Sequence, residues 1–92
     1  MSELEIRHDA TAQRFETHVE GHVAVVDYTL EGGIMTITHT GVPEAIGGRG
    51  VASELVRVAL DHARASGWRV HPQCPYAAVW IRRHPDYADL VA

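Results

Sequence analysis

Ninety-two residues, 46% hydrophobic and 22% charged, describe one small folded domain and not a disordered chain. The formal net charge of −4, with no basic run interleaved with aromatics, argues against a nucleic-acid partner and an anionic membrane surface. A single cysteine, Cys74, leaves no internal disulfide, and the start at Ser2, Glu3 and Glu5 is polar, so the chain reads as a soluble, cytoplasmic monomer.

In chain order, Met1 to Asp9 carries only a weak strand pattern. Arg14 to Val19 alternates, with Phe15, Thr17 and Val19 on one side, and predicts a strand. Glu20-Gly21 turns it into His22 to Leu30, where Ala24, Val26, Tyr28 and Leu30 share a face. Glu31-Gly32-Gly33 is the next turn signal, because glycine accepts the positive φ of tight hairpins. Ile34 to Thr40 follows, with Met35, Ile37 and His39 on one side and Thr36, Thr38 and Thr40 on the other. The expectation is a three-stranded antiparallel meander.

Pro43 ends strand pairing. From Val51 to Arg64 the apolar residues Ala52, Leu55, Val56, Ala59, Leu60 and Ala63 recur at helical spacing, and Gly67 stands just past the helix end. Trp68 to His71 is a short β run closed by Pro72. A strand, a crossover helix and a strand make a parallel unit, so this run pairs parallel with Ile34–Thr40. Pro75 opens a second helix with Cys74 near its cap, and that helix stops before Pro85. Asp86 to Ala92 is expected to form a final short turn. The fold class is α/β: an antiparallel meander, one parallel strand added through a crossover helix, and a C-terminal helix.

The chemistry concentrates at the joint between the third strand and the first helix, Val42 to Ala52. Gly47, Gly48 and Gly50 let the backbone turn tightly there and let a ligand approach closely. The helix that follows aims its unpaired N–H groups and positive dipole end back into the loop, a geometry suited to a phosphate. Two generic phosphate loops do not fit. The P-loop needs lysine and then Ser or Thr after its last glycine, where this chain has Val51 and Ala52. The dinucleotide fingerprint needs an acidic residue closing the second strand, and here that strand ends in His71-Pro72.

Val42-Pro43-Glu44, then Gly48-Arg49-Gly50-Val51-Ala52 and Ser53-Glu54-Leu55, resembles the acyl-CoA-binding motif of the GNAT superfamily of N-acetyltransferases, Arg/Gln-x-x-Gly-x-Gly/Ala. Gly50 and Ala52 match its last two defined positions. Pro72-Gln73-Cys74-Pro75-Tyr76 with Trp80-Ile81-Arg82-Arg83-His84-Pro85-Asp86-Tyr87 is similar to the small, single-domain GNAT-like proteins of about this length. The resemblance implies acetyl-CoA as cofactor, with Thr40, Val42, Gly47, Gly48, Arg49, Gly50, Val51, Ala52 and Tyr76 contacting it. The pantetheine arm is expected to pair with backbone near Thr40–Val42, and the thioester end to reach toward Cys74. Gly47 departs from the motif, standing where Arg or Gln is usual, and Arg49 is placed to compensate with charge-assisted bonds. The larger enzymes carry helices between their first two strands that shape the acceptor site, and the turn at Glu20-Gly21 leaves no room for them, so the amine acceptor is not identified.

Acetyl transfer to an amine needs an unprotonated amine, a stabilised oxyanion and a protonated leaving thiolate. In direct transfer a base takes the amine proton, and His39 and Glu44 are the candidates, with His71 third. In a covalent route Cys74, near a helix N-terminus, first takes the acetyl group. The plainer readings are a buried small hydrophobe for Cys74 and strand-end polar residues for His39 and His71. Tyr76 is a candidate proton donor to the departing thiolate. Arg82 and Arg83 are candidates for the 3′-phosphate, Trp80 and Tyr87 for core packing. Seven histidines show no tight ligand spacing with a cysteine, so no metal site is expected. The function expected is an N-acetyltransferase; the alternative is a non-catalytic acyl-CoA-binding or interaction module that keeps the fold.

Overall fold

The computed structural model describes residues 4–92. Five strands form one sheet in sequential order: β1 (Ile6–Asp9), β2 (Arg14–Val19), β3 (His22–Glu31), β4 (Ile34–Gly41) and β5 (Arg69–Pro72). The first four pair antiparallel, and β5 joins β4 in parallel through helix α1 (Val51–Ser66). Helix α2 (Pro75–Arg83) and a 3-10 segment, Pro85–Leu90, complete the chain. No helix among the described residues is long and apolar enough to cross a membrane.

Most elements lie where the residue pattern puts them. Phe15, Ala24, Val26, Met35, Ile37 and Val70 are buried on one face of the sheet, against Leu55, Val56, Ala59, Leu60 and Ala63 of α1. The helix ends as its glycine requires. Gly67 takes φ 76° and its N–H reaches the carbonyls of Ala63 and Arg64. Pro75 occupies the first turn of α2 with Cys74 as its cap residue. Trp80 and Ile81 bury the inner face of α2, and the Trp80 indole N–H donates to the Ser53 hydroxyl on α1 at 2.7 Å.

Three expectations need correction. The meander has four strands, not three, because Ile6–Asp9 pairs along its length with Arg14–Thr17. Its inward residues, Ile6 and His8, give only two turns of alternation, too short a pattern to stand out; Met1 to Glu3 lie outside the described residues. The joint between the first two strands is therefore residues 10–13, another tight turn with no space for a helix.

The second correction concerns β4. Tyr28 pairs with Ile37 but Asp27 pairs with His39, so Thr38 is an extra residue and the strand bulges. Beyond the bulge the alternation reverses. Thr40 lies opposite the fully buried Val26 and faces the core, while His39 lies opposite Asp27 on the outer face. His39 does not share a side with Met35 and Ile37.

The third concerns the tail, which is more than a turn. Leu90 is buried, Val91 bridges to Val70, and the Ala92 N–H donates to the Val70 carbonyl at 2.8 Å. The Arg69 guanidinium donates to the carbonyls of Leu90 and Val91. The β5 edge is thereby covered.

A cluster of rings joins the β1 edge to α1. The His8 imidazole stacks on Phe15 at 4.2 Å, meets His62 edge-on at 4.4 Å, and its Nε2 lies 2.5 Å from the Tyr28 hydroxyl. His62 in turn meets Trp68 at 5.2 Å. Burial, then the charge of His62, lowers the His8 pKa from 6.5, against a smaller opposing effect of Asp9. The folded state thus favours neutral His8, and the unfolded chain takes the proton first as pH falls. The contribution to stability is complete above about pH 6.5 and lost as pH falls through the lower folded value. We expect thermal melts of His8→Phe, which keeps the stack on Phe15, to depend less steeply on pH between about 6.5 and 5 than those of the wild type.

Candidate active site

The glycine joint forms a tight, open turn. A 3-10 turn, Glu44–Ile46, drops the buried Ile46 into the core and anchors the start of the loop. Gly48 and Gly50 both take φ 77°, a conformation that other residues adopt only with strain. Gly47 is different: its backbone is extended (φ −68°, ψ 158°), but an added Cβ would crowd the Glu44 carbonyl oxygen at 3.3 Å, the same oxygen that accepts the Gly47 N–H. The departure from the Arg/Gln of the motif is thus not required by the backbone angles, though glycine spares a tight contact with Glu44.

Helix α1 starts directly from Gly50 with no side-chain cap. Its first internal bond runs from the Glu54 N–H to the Gly50 carbonyl, leaving the N–H groups of Val51, Ala52 and Ser53 without carbonyl partners inside the helix. These donors open onto a cleft of about 250 Å³ lined by Gly47, Gly48, Gly50 and Val51 to Ser53, with Val42 and Tyr76 also in its lining. Free amides, a dipole end and uncrowded glycines suit a pyrophosphate.

Next to the cleft, the parallel strands separate. Their ladder ends at Ile37 opposite Pro72, and the last bond across the joint runs from the Cys74 N–H to the Ile37 carbonyl at 2.9 Å. Beyond it the inward-turned Thr40 faces Cys74, with 3.5 Å between Oγ1 and Sγ. Cys74 is buried at 7% exposure. Burial pushes its thiol pKa up, but the Thr40 hydroxyl and the amides of Ala77, Tyr76 and Thr40 favour the thiolate and bring the value below 9.0.

Of the residues picked out by sequence, Val42, Gly47, Gly48, Gly50, Val51, Ala52 and Tyr76 line the cleft. Thr40 sits beside Cys74, and Arg49 is turned away to a carboxylate on the β2–β3 turn, Glu20. The three catalytic candidates are not brought together. His39 is exposed on the outer sheet face, its Nε2 covering the place a Cβ at Gly41 would occupy, and Glu44 is exposed in the 3-10 turn. Among the described residues no hydrogen bond or ion pair joins either of them to Cys74. His71 also lies on the outer face, paired with Thr36. Arg82 and Arg83 stand at the far end of α2, roughly 12 Å along the helix from Cys74. Sequence reasoning missed Ser53, which lines the cleft and accepts the Trp80 hydrogen bond. A hydroxyl in the first turn after a glycine loop was the available signal.

Comparison with known proteins agrees with this geometry. The model of the GCN5-related N-acetyl-transferase family matches residues 14–90. Protein NATD1 of Bos taurus is 32% identical over 85 residues, covering 89% of this chain and 75% of its own length. Protein NATD1 of Danio rerio is 29% identical over 93 residues, covering 96% and 84%. The solution structure of a GCN5-like protein from Staphylococcus aureus superposes with a TM-score of 0.77 at 26% identity, over 100% of this chain and 91% of that one. With the glycine joint, the splayed parallel pair and a family match spanning nearly every element, the chain belongs to the GCN5-related N-acetyltransferase family.

Proposed function

We propose that the chain is an acetyl-CoA-dependent N-acyltransferase acting on an amine, with Cys74 at its reactive end. One observation carries this reading: the cleft at the N-terminus of α1 is lined by Val42 and Tyr76, each two residues beyond Thr40 and Cys74, which meet where the β4–β5 ladder ends and where hydrogen bonds lower the cysteine pKa. When bound, acetyl-CoA supplies an acyl group activated as a thioester. The amides of Val51 to Ser53 and the Gly48–Gly50 backbone would hold the pyrophosphate, and the backbone of Gly41 and Val42, past the end of the ladder, would be offered to a pantetheine arm.

Two routes to the amine differ in what they ask of these residues. Direct transfer needs a base that takes the amine proton, and neither His39 nor Glu44, both exposed, is among the residues that line the cleft. The covalent route needs a nucleophile, and Cys74 meets the requirement. Its sulfur accepts the acyl group in exchange for the CoA thiol, then yields it to the amine, whose proton restores the thiol. The burial of Cys74, which with His39 and Glu44 is not among the residues lining the cleft, is the observation favouring the second reading, an acyl-CoA-binding module without efficient transfer.

Acetyl-CoA titrated into labelled protein is expected to move the amides of Gly47 to Ser53 first; unmoved amides there would refute the cofactor reading. Mixing with acetyl-CoA and measuring intact mass is expected to show one added acetyl group, absent from Cys74→Ala. Full amine transfer by Cys74→Ala would leave only the direct route. Thr40→Val removes a bond that favours the thiolate, so the pH midpoint of Cys74 alkylation should rise, and Thr40→Ser should restore it. Gly47→Arg should bind CoA more tightly in calorimetry, at a cost in melting temperature, because its Cβ would crowd the Glu44 carbonyl that accepts the residue-47 N–H.

A further inference from the structure

The cation of the cofactor loop is already engaged elsewhere. Arg49 Nη1 donates to Glu20 Oε2 at 2.8 Å and Nη2 donates to Oε1 at 3.1 Å, a two-pronged pair across 29 residues of chain. It joins the loop to the tip of the β2–β3 hairpin. Glu20 is an unusual occupant of that tip. Val19 pairs with His22, leaving a two-residue turn in which Glu20 has φ 51° and Gly21 φ 81°. Both central positions are left-handed, a turn that favours Asn, Asp or Gly at its first place. A glutamate there accepts a backbone strain that the turn itself does not require. What glutamate adds over asparagine is charge and reach, and both are spent on Arg49.

Arg49 stands between two left-handed glycines, and from Val42 to Ala52 it is the only basic residue. With Gly47 lacking the usual long polar side chain, no other side chain of the loop can neutralise a phosphate. The hydrogen bonds and charge of Arg49 lower the Glu20 pKa, so the carboxylate is ionised at neutral pH. Both partners are exposed, at 46% and 64%, so the pair is weak enough for a doubly charged anion to displace.

Resting on the cofactor reading above, we propose that Glu20 competes with the CoA pyrophosphate for Arg49. The hairpin carboxylate holds the arginine in the absence of CoA, releases it when the pyrophosphate sits at the N-terminus of α1, and recaptures it as CoA leaves. Glu20 is then a positioning residue that weakens CoA binding and hastens product departure, from a strand turn outside the glycine motif.

The test is a double-mutant cycle on CoA binding, with Kd by calorimetry and dissociation by stopped flow, for the wild type, Glu20→Asn, Arg49→Gln and the double variant. Asparagine suits the left-handed turn, so Glu20→Asn is expected to fold, and Glu20→Gln serves as a second variant of nearly equal size. The expected result is CoA binding about two- to fivefold tighter in both Glu20 variants, the range of an exposed ion pair, with dissociation slowed by a similar factor. Arg49→Gln should weaken binding, and in that background Glu20→Asn should lose its effect. Unchanged or weaker binding in the Glu20 variants overturns the proposal. So does an equal gain with and without Arg49, which would mark a general charge effect. If no variant binds CoA and the amides of 47–52 stay unmoved, the cofactor reading itself has failed. Binding by the wild type without coupling refutes only the role of Glu20.

Discussion

The constraint on which the rest depends is the early end of the β4–β5 ladder. The parallel pairing that starts at Ile34 and Arg69 stops at Ile37 and Pro72, because the next amide aimed at β4, that of Gln73, turns back to the His71 carbonyl at 3.0 Å. The chain instead makes one last bond, from the Cys74 N–H to the Ile37 carbonyl, and turns directly into α2. That single bond sets where Cys74 sits and where α2 begins. Beyond Ile37, β4 has no ladder partner in β5, and the Thr40 amide meets the Cys74 sulfur instead. A longer ladder would close the gap; a missing bond from Cys74 would leave the cap residue of α2 unanchored.

The bulge at Thr38 acts on the same strip of strand. A regular β4 would point Thr40 away from the core and His39 into it, toward Cys74. The extra residue reverses this, placing a small neutral hydroxyl beside the sulfur and an imidazole on the opposite face. The local medium at Cys74 is therefore set by Thr40 and helix amides and not by a histidine partner. The bulge thus selects a thiol tuned by hydrogen bonds over an ion pair.

What was legible in the residues followed from periodicity and from residues with strong backbone preferences. The buried stripe of α1 and the stops at Gly67 and Pro85 are local properties, and the structure keeps them. The glycine joint was legible for the same reason, and the conformations of Gly48 and Gly50 carry out what their composition suggests. The misses are all long-range. The four-residue β1 has too few alternations to register and forms because β2 offers it an edge. The bulge leaves no trace in composition, since Thr38, His39 and Thr40 read as an ordinary β run. Arg49 was expected to face the phosphate site because the loop was considered alone, while its partner sits 29 residues earlier. Ser53 was read only as part of the motif-bearing segment, with no role for its side chain, and its partner Trp80 lies 27 positions later.

That Ser53–Trp80 bond gives the molecule a connection that no single residue has. Ser53 belongs at once to the lining of the cleft and, through Trp80, to the packing of α2, the helix that Cys74 caps. Any force on the Ser53 hydroxyl from the cleft side therefore acts on the same atom that holds Trp80. Through that one bond the packing of α2 reaches a cleft that Trp80 itself does not line.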